Sequence, residues 1–292
     1  MRVITDRVRN NGDSRNLISE PALTRSDSGN IMKGRSSLSW LRDLYIADGK
    51  NGQETKTLFD VIDLHSYCKI MDGDLPWSEG EKAYPEVQES KIQNVRNVMA
   101  EFGDQDKPMI FTEMGWCTDP DADNYNRVID ETEQRDYIVR QYLLAISLGI
   151  REGYLYAFQN AGINPSETED VYGIVDWYGI PRPAYYGYYM ASSVMQGAMY
   201  LGKTANVNAP YFGLDFLNET KNGRFSALWA AKDEPHTMIV EPADSLENGL
   251  TVVYADGSLK YIPVILGQAS VPVSGTPAFV FSRCGIRVIA IT

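Results

Sequence analysis

Lys107-Pro108-Met109-Ile110-Phe111-Thr112-Glu113-Met114-Gly115-Trp116 is the stretch on which the fold turns. Its first half is short, apolar and opened by proline, as a buried parallel strand is. Glu113 falls where such a strand gives way to its loop. In parallel α/β architectures that carboxyl edge is where chemistry sits. An isolated acidic residue there usually does no more than end the strand. What sets Glu113 apart is the order of elements on either side of it.

Upstream, Leu58 to His65 reads as another strand, and residues 86–102 form a helix with Val87, Ile92, Val95, Val98 and Met99 on one side. Before these, the spacing of Leu38, Leu41, Leu44 and Tyr45 predicts a helix over 37–46, and Asn16 to Glu20 holds a short apolar segment. Downstream, a helix is predicted from Glu131 to Leu148, opened by Thr132 with Gln134-Arg135 and stopped by Gly149. Gly153 to Phe158 reads as the next strand and Pro183 to Met199 as a last, aromatic-rich helix. Strands alternating with helices imply parallel pairing through helical crossovers.

The texture changes near residue 202. Short strands then follow one another at 212–217, 225–230, 237–240, 250–254, 261–266, 278–281 and 287–291, separated by turns such as Lys221-Asn222-Gly223 and Asp256-Gly257. The chain is therefore read as an α/β region over 1–202 and an antiparallel β-sandwich over 203–292. Trp40 and Trp229 are read as core residues.

The bulk properties narrow the function. A net charge of -12, with no Lys/Arg block, argues against a nucleic-acid partner. Three scattered cysteines imply no disulfide framework, and His65 and His236, the only histidines, do not cluster with them at metal-ligand spacing. Neither a metal nor another cofactor is expected. No apolar run reaches transmembrane length, and Met1-Arg-Val-Ile-Thr-Asp-Arg has no apolar signal core; neither observation specifies a compartment. The 18 Tyr and 5 Trp suggest a surface that stacks on flat polar molecules, for which sugar rings qualify.

Three segments together resemble the C-terminal half of a retaining clan A glycoside hydrolase, a (β/α)₈ barrel. Phe59-Asp60-Val61-Ile62-Asp63-Leu64-His65-Ser66-Tyr67 resembles the sixth barrel strand with its His-x-Tyr ending. Pro108 to Trp116 resembles the seventh strand, whose terminal Glu is the nucleophile. Tyr172-Gly173-Ile174-Val175-Asp176 with Pro181-Arg182-Pro183-Ala184-Tyr185-Tyr186 resembles the segment leading from strand eight into the last barrel helix. The resemblance implies a carbohydrate substrate, Glu113 as nucleophile, His65 and Tyr67 beside it, and Trp116, Phe158 or Trp177 as the sugar platform. Members of the clan often carry Trp at the end of strand eight, where this sequence has Phe158. A hydrogen bond from the Tyr67 hydroxyl would hold the carboxylate ionised and correctly turned.

The second carboxylate is the difficulty. Retaining hydrolysis needs a proton donor about 5 Å from the nucleophile, and in the clan this Glu ends strand four in an Asn-Glu-Pro context. No Asn-Glu-Pro occurs here; Ser19-Glu20-Pro21 comes nearest. Glu20 can be the acid/base only if a complete fifth strand fits between it and residue 58, where the helix over 37–46 is the sole element. Residues 16–20 are therefore placed at strand five. A full barrel takes about 250 residues, so the expectation is a partial barrel of about strands five to eight, its N-terminal half supplied from upstream, with hydrolysis slow or absent. The competing reading is a carbohydrate-binding or structural protein that keeps the barrel's aromatic surface. An α/β-hydrolase lacks support because there is no Gly-x-Ser-x-Gly elbow.

Overall fold

Among the described residues, three parallel strands carry the first half of the protein: β1 (Ile62–His65), β2 (Met109–Met114) and β3 (Ile150–Leu155), hydrogen-bonded in that order. The computed structural model describes residues 37–46, 59–67, 84–118, 129–221, 223–232 and 234–292. The predicted strand over 16–20, and Glu20 with it, lies outside the described residues. Helices α1 (Ser37–Ile46) and α2 (Gln88–Glu101) cover one face of the sheet. Leu41, Tyr45, Ile92 and Val95 meet Ile62, Leu64, Met109 and Phe111 there in one apolar cluster. Full burial of such a side chain contributes about 1.5–3 kcal/mol. Trp40 stays 38% exposed because α1 turns Leu41 and Tyr45 to the sheet instead.

Helix α3 (Glu131–Ser147) starts where predicted, but its capping box is built on Asp130 and Glu133, not on Thr132. Asp130 accepts from the Thr132 and Glu133 amides at 2.7 and 2.8 Å, and the Glu133 carboxylate accepts from the Asp130 amide at 3.0 Å. Gly149, at φ +70°, ends the helix in the left-handed conformation, so β3 begins at Ile150, three residues earlier than predicted. Helix α4 (Pro183–Met195) also ends early, at the positive-φ Gly197. Ala198 and Met199, expected to end it, instead begin strand β4 (Ala198–Lys203).

That strand opens the second half. With β5 (Tyr211–Asn218), β6 (Gly223–Ala230), β8 (Gly249–Tyr254), β9 (Leu259–Pro263) and β11 (Ala278–Ser282) it forms a six-stranded antiparallel sheet ordered β4-β5-β6-β11-β8-β9. A three-stranded antiparallel sheet, β10 (Ala269–Val273), β7 (His236–Pro242) and β12 (Ile286–Ile291), faces it in the order β10-β7-β12. Met238, Val240, Val271 and Val288 from the small sheet share an apolar layer with Leu228, Val252 and Val280 from the large one. The other face of the large sheet packs on α3 and α4: Phe216, Ala227, Trp229 and Phe279 meet Val139, Leu143, Leu144 and Val194. Burial on both faces explains why β6 is buried from Phe225 to Ala230 without alternation. Among the described residues, no helix is long and apolar enough to cross a membrane.

Candidate active site

The position of Glu113 depends on a break in the pleat. Met109, Phe111 and Met114 face the helices, whereas Ile110, Thr112 and Glu113 are only partly buried. Strict alternation would turn Glu113 to the same side as Phe111. Leu64 pairs with Phe111 but the next residue, His65, pairs with Glu113, so β2 carries one extra residue at this point. Such a bulge re-aims a side chain, and barrel rims beside active sites are where bulges concentrate. Glu113 thereby joins His65 on the opposite face. Thr112 is anchored there as well, its hydroxyl donating to Asp63 Oδ1 at 2.6 Å.

One carboxylate oxygen collects the contacts. The Tyr67 hydroxyl donates to Glu113 Oε2 at 2.9 Å, and His65 Nδ1 stands 3.1 Å from the same atom. The Glu113 side chain keeps 33% exposure, enough to meet a ligand. Burial, and then the hydrogen bond from Tyr67 to Glu113, push the Tyr67 phenol above its ordinary range, so it stays protonated as a donor.

The residue between His65 and Tyr67 is gripped from all sides. The Ser66 amide donates to the Glu113 carbonyl at 2.8 Å, its hydroxyl accepts from Gln88 Nε2 at 3.0 Å, and its carbonyl accepts from Gln141 Nε2 at 2.7 Å. Lys91 Nζ donates to the Tyr67 carbonyl at 3.1 Å. Helix α3 thus holds the strand ends through buried amides: Gln141 Oε1 also accepts from the Trp116 indole at 3.0 Å, and Gln134 Nε2 donates to the Trp116 carbonyl at 2.7 Å. Charge-neutral groups of this kind fix geometry without adding a field to the site.

The aromatic residues divide. Trp116 is buried, packed edge-on against Tyr137 with its nitrogen bound to Gln141, and offers no open face to a sugar; this corrects its assignment to the platform. Phe158 and Trp177 are 62% and 50% exposed on the loop after β3, joined through Gln159 Nε2, which donates to the Trp177 carbonyl at 3.0 Å. Tyr156, to which the sequence reading gives no site role, follows directly on β3. Its amide donates to the Met114 carbonyl at 2.8 Å, and Gly115 must lack a side chain because a Cβ would stand 1.8 Å from the Tyr156 carbonyl oxygen. The loop is pinned by the buried Arg182, which donates to the Gly173 carbonyl at 2.7 Å, to Thr118 Oγ1 at 2.8 Å and to Glu131 Oε1 at 3.0 Å. His65, Tyr67 and Glu113 are therefore brought together. Among the described residues, no three His, Cys, Asp or Glu side chains are grouped to hold a metal ion.

No family model and no curated protein matches this sequence. Solved structures do. A family 39 glycoside hydrolase from the gut symbiont Bacteroides cellulosilyticus WH2 superposes with a TM-score of 0.58 at 18% identity, over 81% of this chain and 46% of that one. A family 51 α-L-arabinofuranosidase from Bifidobacterium longum gives 0.56 at 11% identity, over 94% and 61%. A glucosidase from Croceicoccus marinus gives 0.55 at 9% identity, over 97% and 63%. The chain thus spans between 46% and 63% of the length of these three relatives. At such identities the likeness establishes the fold alone: over that length, the chain has a fold shared with glycoside hydrolases of clan A.

Proposed function

We propose that the chain carries the nucleophile side of a retaining glycosidase site. The three parallel strands are read as the sixth to eighth of a (β/α)₈ barrel, residues 1–202 as its catalytic region and residues 203–292 as an accessory sandwich. Glu113 Oε attacks the anomeric carbon of a glycoside, a carbon–oxygen ester bond forms, and the bond to the leaving oxygen breaks. Water then cleaves the ester. The observation that carries this reading is the convergence of the Tyr67 hydroxyl and His65 Nδ1 on one oxygen of a partly exposed carboxylate at a parallel strand's end. The proton-donor role is assigned to none of the described residues.

The unassigned donor guides the test. Unactivated aryl glycosides need a proton on the departing oxygen, so purified chain 1–292 is expected not to turn them over. Fluoride needs none. A 2-deoxy-2-fluoro glycosyl fluoride should therefore esterify Glu113, and the ring fluorine should keep the ester intact long enough for peptide mass spectrometry. Label on any other residue would sink the assignment. Tyr67→Phe keeps the ring and deletes one hydrogen bond to a charge, a loss of about 1.5–3 kcal/mol, and should slow labelling roughly 10- to 100-fold.

The second reading is a saccharide-binding protein without turnover. It is favoured by the exposed rings of Phe158, Trp177 and Tyr178 on the loop after β3, a surface able to stack on sugars with no chemistry. Sugar binding without any ester at Glu113 would establish it instead.

A further inference from the structure

Displacement at Glu113 makes no use of Tyr156 and Glu169, yet they stand beside it. The Tyr156 hydroxyl donates to Glu169 Oε2 at 2.6 Å. Its ring lies edge-on to Tyr172, with centroids 5.3 Å apart, and Tyr172 lies edge-on to Tyr67 at 5.8 Å. Two phenols, one on each side of Tyr172, therefore each donate to a carboxylate. They also share a field: the hydrogen bond to Glu169 and then burial push the Tyr156 phenol up to about 12, with the charge of Glu113 adding to both, and the charge of Glu169 reaches the Tyr67 phenol as well.

Glu169 is exposed but its backbone is held. It lies in the 3₁₀ turn Thr168–Val171, whose last carbonyl accepts from the Thr118 amide at 3.3 Å and from Arg182 Nη1 at 3.4 Å. Among the described residues, two cations near this cluster bind other acceptors: Arg182 binds Gly173, Thr118 and Glu131, and Lys91 binds the Tyr67 carbonyl. An ionised carboxylate only accepts hydrogen bonds, which suits sugar hydroxyls. A ring bearing its own carboxylate or sulfate would instead meet the two negative charges of Glu113 and Glu169.

We propose that Glu169, held by Tyr156, is a specificity-determining residue of the Glu113 site, accepting hydroxyls of a neutral sugar ring and excluding uronic-acid and sulfated rings. This rests on the glycosidase reading and narrows its substrate class.

Binding, not turnover, tests it. Methyl β-xyloside and methyl β-glucuronide are titrated by NMR into the full chain. The wild-type protein should favour the neutral glycoside on the order of tenfold, the scale of one unscreened like charge in a cleft. Glu169→Gln should weaken the neutral glycoside about tenfold through loss of a charge-assisted hydrogen bond, and should collapse the preference over the glucuronide. Tyr156→Phe, which leaves the charge in place, should weaken the neutral sugar while preserving the preference. Equal binding of the two glycosides by wild type, binding of neither, or an unaltered ratio in Glu169→Gln overturns the proposal. The fluoroglycoside label separates this from the function itself: label at Glu113 without the preference removes only the role of Glu169, and the preference without label removes only the catalysis.

Discussion

Glu113→Ala should abolish fluoroglycoside labelling and lower cleavage of a dinitrophenyl glycoside by at least about 10⁴-fold, the scale on which removal of a covalent nucleophile acts in other hydrolases. Dinitrophenolate departs without a proton, so this substrate isolates the step proposed for Glu113. Azide should then restore much of the lost rate. Truncation to alanine leaves a space the size of a small anion, still faced by the Tyr67 hydroxyl and His65 Nδ1 that stand 2.9 and 3.1 Å from the native oxygen. Azide seated there attacks the anomeric carbon from the side Glu113 used, and no second displacement follows. The product is a glycosyl azide of inverted configuration. Glu113→Gln leaves no such space and should not be rescued. An azide adduct of retained configuration, or an alanine variant as active as wild type, would show that another group attacks.

The parts of this site that the sequence discloses are those built from local pattern. Pro108 to Phe111 is a buried strand because four successive residues say so, and His65 and Tyr67 are picked out by their resemblance to the His-x-Tyr ending of a barrel strand. The bulge at Thr112-Glu113 is invisible in that pattern, since a period of two sends Glu113 to the helix side with Met109 and Phe111; only pairing with His65 reveals it. Strand β3 was placed three residues late because Tyr154, Tyr156 and Phe158 alternate as a strand should, although Gly149 already signalled the break. Ala198 and Met199 end the predicted aromatic helix but belong to a strand paired with β5, a partner no helical periodicity can anticipate. Ala269, Val271 and Val273 do alternate, as the buried side of β10, but Ser270 and Pro272 between them hid the strand. Gln134, Gln141, Arg140 and Glu86 are polar residues with no local pattern that sets them apart. Their partners lie many residues away, so nothing local marks them as buried.

Arg140→Met should be the most destabilising single change of those argued above, by about 3–5 kcal/mol, because it strands a buried carboxylate. Arg140 and Glu86 both have fully buried side chains. Arg140 Nε and Nη2 donate to the two Glu86 oxygens at 2.8 and 2.6 Å, and Nη2 also reaches the Ala231 carbonyl at 3.0 Å. The Trp229 indole donates to Glu86 Oε1 at 2.7 Å, and the guanidinium lies over the Tyr137 ring at 4.9 Å. Three parts of the chain meet in this pair: the turn before α2, the middle of α3, and strand β6 of the large sheet. Breaking it should therefore loosen the sheet from α3 and, through Gln141 one residue along, the grip on Ser66. Chemical denaturation followed by Trp fluorescence measures the loss. Glu86→Leu alone should cost a similar amount, but the double variant Glu86→Leu/Arg140→Met should cost less than either, since no uncompensated charge is left. Near-additive losses in that cycle, or an Arg140→Met variant within about 1 kcal/mol of wild type, would mean that packing around Trp229 joins the halves and the ion pair does not.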